Sequence, residues 1–535
     1  MRTPTRRSLL GAGLGLAGTG LLAACSSGRT SSDHGSGSTT GAADWTDPAG
    51  REVAATEKAR AGGGRVREVR LTATETRLDL GRTTVPTWAY GDRLPGRQVR
   101  VTAGDTLALT LANHLPEPTS LHWHGLALRN DMDGVPELTQ QDVRPGADFT
   151  YRFKVPHPGT YWFHPHSGTQ QDRGLYAPLV VEDPREPLAY DHEWVVVVDD
   201  WVDGVDGSTP DGVLAELSRG MAPGMDHGSG SGDGDGDEGG HSGHGVSAQG
   251  ARKEEPPGPS RMMTGARSEL LGGDAGDVKY PYHLVNGRPA EDPEVFRARP
   301  GDRIRVRLVN AGGDTAYRVA LGGHRMTVTH TDGFPVEHAE TEALLLGMGE
   351  RYDVLVTAGD GVFPLTALAE GKDATARALL RTGGGAAPKA GARPKELEGK
   401  VVTADRLTAD ESAALPARAP DRTVRFQLTG GMARYDWAFN GRPYKSTERY
   451  PVRAGERVRL VFSNATDMWH PLHLHGHTFA LSSAKGAPRK DTAVILPHRT
   501  LTADFDADNP GLWMLHCHNV YHAEAGMMTV LGYRV

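Results

Sequence analysis

Three stretches of the chain repeat one arrangement of apolar and polar residues. They run from Val101-Thr-Ala-Gly104-Asp105 to Asn113, from Arg299-Pro-Gly301-Asp302 to Asn310, and from Arg453-Ala-Gly455-Glu456 to Asn464. Each has a glycine nine residues before the asparagine and an acid directly after the glycine. Between them, apolar residues fall two apart: Leu107, Leu109 and Leu111; Ile304, Val306 and Leu308; Val458, Leu460 and Phe462. A period of two after a tight turn predicts a half-buried strand, and three copies predict three domains of one fold. Asn286-Gly287-Arg288-Pro289 and Asn440-Gly441-Arg442-Pro443 precede their asparagines by the same interval, whereas the first copy has only Tyr90-Gly91-Asp92 near that place. Composition shifts at Pro184–Leu188 and Gly383–Lys395 divide the chain into domains over 66–187, 188–390 and 391–535.

Composition agrees with this pattern. The chain has 69 glycines and 35 prolines among 535 residues, yet 38% hydrophobic residues, which points to a turn-rich all-β protein and not a disordered one. A net charge of −8, with both signs interspersed, argues against a nucleic-acid-binding surface. Residues 1–25 read as an export signal: Arg6-Arg7 followed by an apolar run resembles a twin-arginine leader, and Leu22-Ala23-Ala24-Cys25 resembles a lipobox. The expectation is an exported protein held outside the cell membrane by a lipid on Cys25, with 26–65 as a flexible tether. No other apolar run approaches the roughly 20 residues that span a bilayer. Met221 to Met263, carrying His227, His241, His244 and further methionines in a Gly/Asp run, reads as a disordered insertion in the second domain. Its thioethers and imidazoles could collect copper ions, or it is a plain linker; both readings stay open.

The candidate chemistry lies in the histidines. His122 and His124 stand nine and eleven residues after the repeat asparagine of the first domain, and His473 and His475 do so in the third. Further on, Gly159 is followed at five and seven by His164 and His166, and Gly511 at the same offsets by His516 and His518. The second domain has Val319 and Leu321 at the first pair of positions and supplies no ligands. Eight imidazoles from domains one and three can meet only if those domains pack face to face, and they suit three copper ions better than one. Near the C-terminus, His516-Cys517-His518, His522 and Met527 fall close together, with His470 upstream. Two imidazoles, a thiolate and a weak axial thioether describe an electron-transfer copper site. In a strand, residues flanking the cysteine share the opposite face, so His516 and His518 would point to a second site behind the first. With Cys25 lipidated, Cys517 has no disulfide partner, which favours a metal thiolate.

His122-Trp-His-Gly, His164-Pro-His-Ser, His470-Pro-Leu-His-Leu-His-Gly and His516-Cys-His-x3-His-x4-Met resemble the four copper-binding motifs of the three-domain multicopper oxidases, in order and spacing from about Val66 to Val535. The resemblance implies three cupredoxin-like Greek-key β-sandwich domains and four coppers per chain. His470, Cys517, His522 and Met527 would hold the type 1 copper, and His122 with His473 the type 2. His124, His164 and His518, and His166, His475 and His516, would hold the type 3 pair. It further implies one-electron oxidation of a donor, entering through the edge of His470 or His522, coupled to four-electron reduction of O2 to water. Phenols or aromatic amines are the first expectation for the donor. Cu(I) or another metal, in the service of copper tolerance, is the alternative. A copper storage or electron-transfer protein needs only the type 1 site, and a copper nitrite reductase uses fewer histidines. Asp133, in an Asp-Gly-x-Pro sequence, matches the family's proton-supplying acid, with a plain Asp-Gly turn as the lesser alternative. A second acid often follows the last type 1 histidine directly; here that position is Ala523 and the acid is Glu524. Asp467 and Trp469, neighbours of His470, are candidates for lining the donor pocket. High-potential relatives have Leu or Phe where this chain has Met527, so Met527→Leu should raise the type 1 reduction potential in a redox titration; an unchanged or lower value would remove Met527 from the ligand set.

Overall fold

The computed structural model describes residues 45–60, 62–220, 258–481 and 486–535, so Cys25 and most of the Gly/Asp/His/Met insertion lie outside the described residues. The three repeats are three β-sandwiches with one connectivity. In the first, the repeat strand Thr106–Asn113 runs parallel to Val66–Asp79 on one side and antiparallel to Asp148–Lys154 on the other. Arg303–Asn310 sits likewise between His192–Trp201 and Arg351–Thr357. Arg457–Asn464 sits between Arg422–Thr429 and Thr500–Asp506. The alternating residues named above form the cores: Leu107, Leu109 and Leu111, then Ile304, Val306 and Leu308, then Val458, Leu460 and Phe462 are all buried. The facing sheets repeat as well, and in domains one and three they carry the histidines.

The repeat asparagine has the same task three times. Asn113 donates its amide to the carbonyls of Glu117 and Val143 and accepts from the N–H of Leu115. Asn310 bonds Thr315, Leu346 and Gly312 in the same way, and Asn464 bonds Met468, Leu496 and Thr466. A side-chain amide that satisfies three buried backbone groups folds the chain end of the strand into the turn leading to the next sheet. That turn delivers His122 and His473 at one offset, nine residues on. The acid after the repeat glycine is equally consistent: Asp105, Asp302 and Glu456 accept the N–H of Thr102, Arg299 and Arg453 and close the preceding turn.

Three expectations about segment boundaries change. Residues 45–60 are not part of a tether: the Trp45 ring meets the guanidinium groups of Arg449 and Arg534. A helix then covers Arg51–Ala59, and Arg60 donates to the carbonyls of Ala127 and Leu128 and to Asn509 Oδ1 of the third domain. The segment straps domains one and three together. Residues 395–409 belong to the second domain, where Val401–Val402 extends its sheet beside Ala343–Leu346 and Ala409 bridges Val336. The expected insertion ends earlier than Met263, since Met262 bridges Val278 and Met263 N–H donates to Asp277 O. Because Asn310 sits in the domain without copper ligands, Asn310→Ala should cost roughly 2–3 kcal/mol by orphaning two carbonyls and an amide. Chemical denaturation should show the lowered midpoint, with the copper spectra unchanged.

Candidate copper centres

Strand register brings the histidines together. His122 pairs with His164 across adjacent strands of domain one, and His473 pairs with His516 across the corresponding strands of domain three. Asn130 locks the two domains edge to edge, donating to Leu512 O at 2.7 Å and accepting Leu512 N–H at 2.8 Å. All eight imidazoles then converge: ligand nitrogens of His124, His164 and His518 lie within 4.8 Å of one another, as do those of His166, His475 and His516 and those of His122, His124 and His473. His124 thus falls in two of these groups, and His122 also groups with His164 and His166. Each of the eight rings keeps at least one buried nitrogen without a hydrogen-bond partner, Nδ1 in His124, both in His518 and Nε2 in the others. Buried polar atoms are rarely left unpaired, and eight that converge are suited to metal ions. Burial and mutual repulsion hold the rings of His124, His164, His166, His475, His516 and His518 well below the ordinary histidine value, in the neutral form that binds metal.

The outer nitrogens are fixed by two aspartates that each cross the interface. Asp133, from domain one, holds His122 of its own domain through its backbone carbonyl at 2.9 Å, and holds His475 of domain three through its carboxylate at 2.9 Å. Asp491, from domain three, holds His473 through its carbonyl at 2.9 Å, and its carboxylate lies 3.1 Å from His124 Nε2 of domain one. Thr492 Oγ1 also meets His124 Nε2, at 3.0 Å, so His124 is left Nδ1 as its ligand atom. Burial opposes the charge on Asp491, but Arg351 holds its carboxyl well below the usual range. Arg351 comes from the second domain, donates to Asp491 at 2.7 and 2.6 Å, and also reaches Thr160 O of domain one. Gly349, at φ 82°, closes the same wall: a Cβ there would stand 3.0 Å from His124 Cε1 and from His518 Cδ2. The ligand-free domain therefore shapes the cluster.

The second centre forms on one domain. His470 Nδ1 and His522 Nδ1 are 3.1 Å apart, and each is 3.7 Å from Cys517 Sγ. Cys517 ends the strand Leu512–Cys517, and His522 is placed by the short helix Val520–Ala525. Asn519 caps that helix by accepting the N–H groups of Tyr521 and His522. Gly526, at φ 127°, turns the chain back so that Cys517 N–H bonds Met527 O, and Met527 is fully buried in the core cluster that contains Cys517. Since His516 and His518 flank Cys517, the two centres are joined by single residues of chain.

Other sequence expectations change here. Neither His470 nor His522 offers an edge to solvent: both are fully buried, with His470 Nε2 2.9 Å from Thr466 Oγ1 and His522 Nε2 2.9 Å from Asp277 Oδ2 of the second domain. Glu524 is exposed, because two residues along a helix turn it about 200° from His522, away from the copper ligands. Trp469 is buried in the core, while Asp467 faces solvent beside His498. Asp491, Arg351 and Asp277 were not anticipated. Asp491 stands in an ordinary Lys-Asp-Thr strand edge, and the other two lie in the domain that lacks the histidine pattern.

A thiolate–imidazole site wired to an eight-imidazole cavity between two cupredoxin-like sandwiches defines a copper-dependent oxidoreductase. Three family models described as multicopper oxidase match residues 72–186, 263–385 and 417–534. The chain is 48% identical to "Multicopper oxidase MmcO" of Mycobacterium tuberculosis over 99% of its own length and 96% of that protein. It is 28% identical to a copper resistance protein A homologue of Pseudomonas syringae pv. tomato, covering 86% of this chain and 91% of the relative. It is 25% identical to laccase-2 of Cryptococcus neoformans, covering 83% and 80%. A crystal structure of a multicopper oxidase from Pseudomonas thermotolerans superposes with a TM-score of 0.63 at 26% identity, covering 88% of this chain and 99% of that one. The chain belongs to the multicopper oxidase family, and with it come copper as cofactor, four ions per chain, and an oxidase activity with O2 as acceptor.

Copper bound here supplies one-electron acceptance at the thiolate site and four-electron reduction of dioxygen to water at the cluster. The protein's share is to hold neutral imidazoles in register, exclude water from Cys517, and keep Asp133 beside His475 as a buried acid on the cluster wall. Arg351→Met should leave Asp491 as a buried carboxylate without its cation, at a cost of about 3–5 kcal/mol. Metal analysis and spectra of the variant should show cluster copper lost in preference to the blue type 1 centre.

Proposed function

We propose that the physiological donor is a reduced metal ion, cuprous copper first, and that the enzyme serves copper tolerance. The observation that carries this reading is the closure of the type 1 centre. With His470 and His522 capped by Thr466 and Asp277 and fully buried, an aromatic substrate has no ligand edge to lie against. A metal ion needs only a small docking point of carboxylate or thioether groups. The described ends of the Met/His-bearing insertion support the same reading. Gly220 abuts Ala433 in the loop that leads to Tyr435 and Trp437, and Met263 N–H bonds Asp277, the residue on His522. Relatives named for copper resistance, at 27–28% identity, agree with it, and relatives named laccase, at 25–26%, make phenol oxidation the competing reading. We further propose that the chain is exported and anchored through Cys25, as its leader suggests.

Oxygen uptake by the copper-loaded protein, measured with Cu(I) and with a phenol before and after deletion of residues 221–257, tests the donor. The expected result is faster turnover of Cu(I), with a selective loss of Cu(I) efficiency on deletion. Phenol turnover without Cu(I) turnover would move the enzyme to the laccase class.

A further inference from the structure

We infer that electrons reach the type 1 copper through the indole of Trp437, with Tyr435 beyond it, and not through an exposed histidine edge. The relay is independent of which donor the enzyme uses.

Trp437 is the aromatic residue that touches both ligand imidazoles among the described residues: its ring centroid is 4.3 Å from that of His522, tilted by 33°, and 5.4 Å from that of His470, nearly edge-on. Tyr435 lies 6.0 Å from Trp437 and 6.1 Å from His522. Both rings are buried, yet they sit on a loop whose residues Ala433, Arg434 and Asp436 are exposed, so the path from solvent to ligand is two aromatic rings deep. The loop is held tightly. Gly430, at φ 113°, admits no Cβ, which would fall 2.6 Å from Trp437 Cα, and Gly220 comes so close to Ala433 that a Cβ would meet its carbonyl at 2.3 Å. A buried indole N–H ordinarily finds an acceptor, whereas Trp437 Nε1 has none among the described residues. The indole is oriented by its ring contacts with the two histidines.

These contacts take over the work that a solvent-facing imidazole would do. Delocalised rings in van der Waals contact carry tunnelling electrons better than the saturated side chains and backbone around them. One electron leaves the donor at the 433–436 surface and one arrives at the copper, taking it from cupric to cuprous. Both rings stay neutral and keep their protons. Burial, with Asp277 beside it, holds the Tyr435 phenol in its protonated form.

Trp437→Leu, Trp437→Phe and Tyr435→Leu, made in the copper-loaded full chain, test the relay. Anaerobic stopped-flow bleaching of the blue band is followed with hexacyanoferrate(II) and with Cu(I), alongside the type 1 potential and EPR spectrum. Trp437→Leu should slow bleaching by roughly tenfold with both donors while potential and EPR spectrum stay unchanged, and Trp437→Phe should recover most of the rate. Copper titrated into the apoprotein should quench a tryptophan emission component that Trp437→Phe lacks. Wild-type bleaching in Trp437→Leu would overturn the relay, as would a potential shift of about 59 mV or more, a tenfold change in the equilibrium constant of a one-electron couple, because slower bleaching would then follow from driving force. Should Trp437→Leu fail to load copper, slowed bleaching in Tyr435→Leu supports the relay and an unchanged rate overturns it. A wild-type enzyme that bleaches with hexacyanoferrate(II) but not with Cu(I) removes the metal-donor reading, and slowed Trp437→Leu bleaching then still supports the relay.

Discussion

Two aspartates that reach across one interface hold the catalytic centre together. Asp133 and Asp491 each fix a histidine of their own domain with a backbone carbonyl and one of the opposite domain with a carboxylate. The arrangement follows from the pseudo-symmetry of the two docked sandwiches. Cluster geometry and domain docking are therefore one variable: neither acid keeps both its contacts unless the domains meet in register. A buried carboxylate between imidazoles is costly unless compensated. For Asp491 the compensation arrives from Arg351, which makes the middle domain part of the active centre although it binds no metal.

The same domain governs the type 1 site. Lys372 pairs with Asp314 at 2.6 Å, Asp314 accepts from Asn519 and from the N–H groups of Asp277 and Val278, and Asp277 meets His522. This chain of contacts runs from a buried cation of the second domain to the cap of the helix bearing His522. It explains how a six-residue helix, too short to be stable alone, can position a copper ligand. It also closes the ligand's outer edge, which makes the surrounding loops, and the aromatic residues within them, the route by which any donor communicates with the metal.

The copper ligands were legible in the sequence because metal binding leaves dense marks at fixed spacing: strand alternation places His-x-His on one face, and the repeat asparagine fixes their offset. The three-domain division was legible for a related reason, since the same turn is closed by the same side-chain bonds in each copy. Residues that act on the ligands left no such mark. Asp491, Arg351, Asp277 and Trp437 are single residues in unremarkable surroundings, each brought to its ligand from another strand or another domain.

The sequence by itself determined the fold class, the repeat, the eight cluster histidines and the Cys517 centre, because these depend on local periodicity and on ligand chemistry. Only the tertiary structure decided which nitrogen His124 leaves for the metal, that residues 45–60 strap two domains together, and that both type 1 histidines are sealed. Those features arise from contacts between residues up to several hundred positions apart, and they are set by how the sandwiches dock, which the pattern within any one strand does not encode.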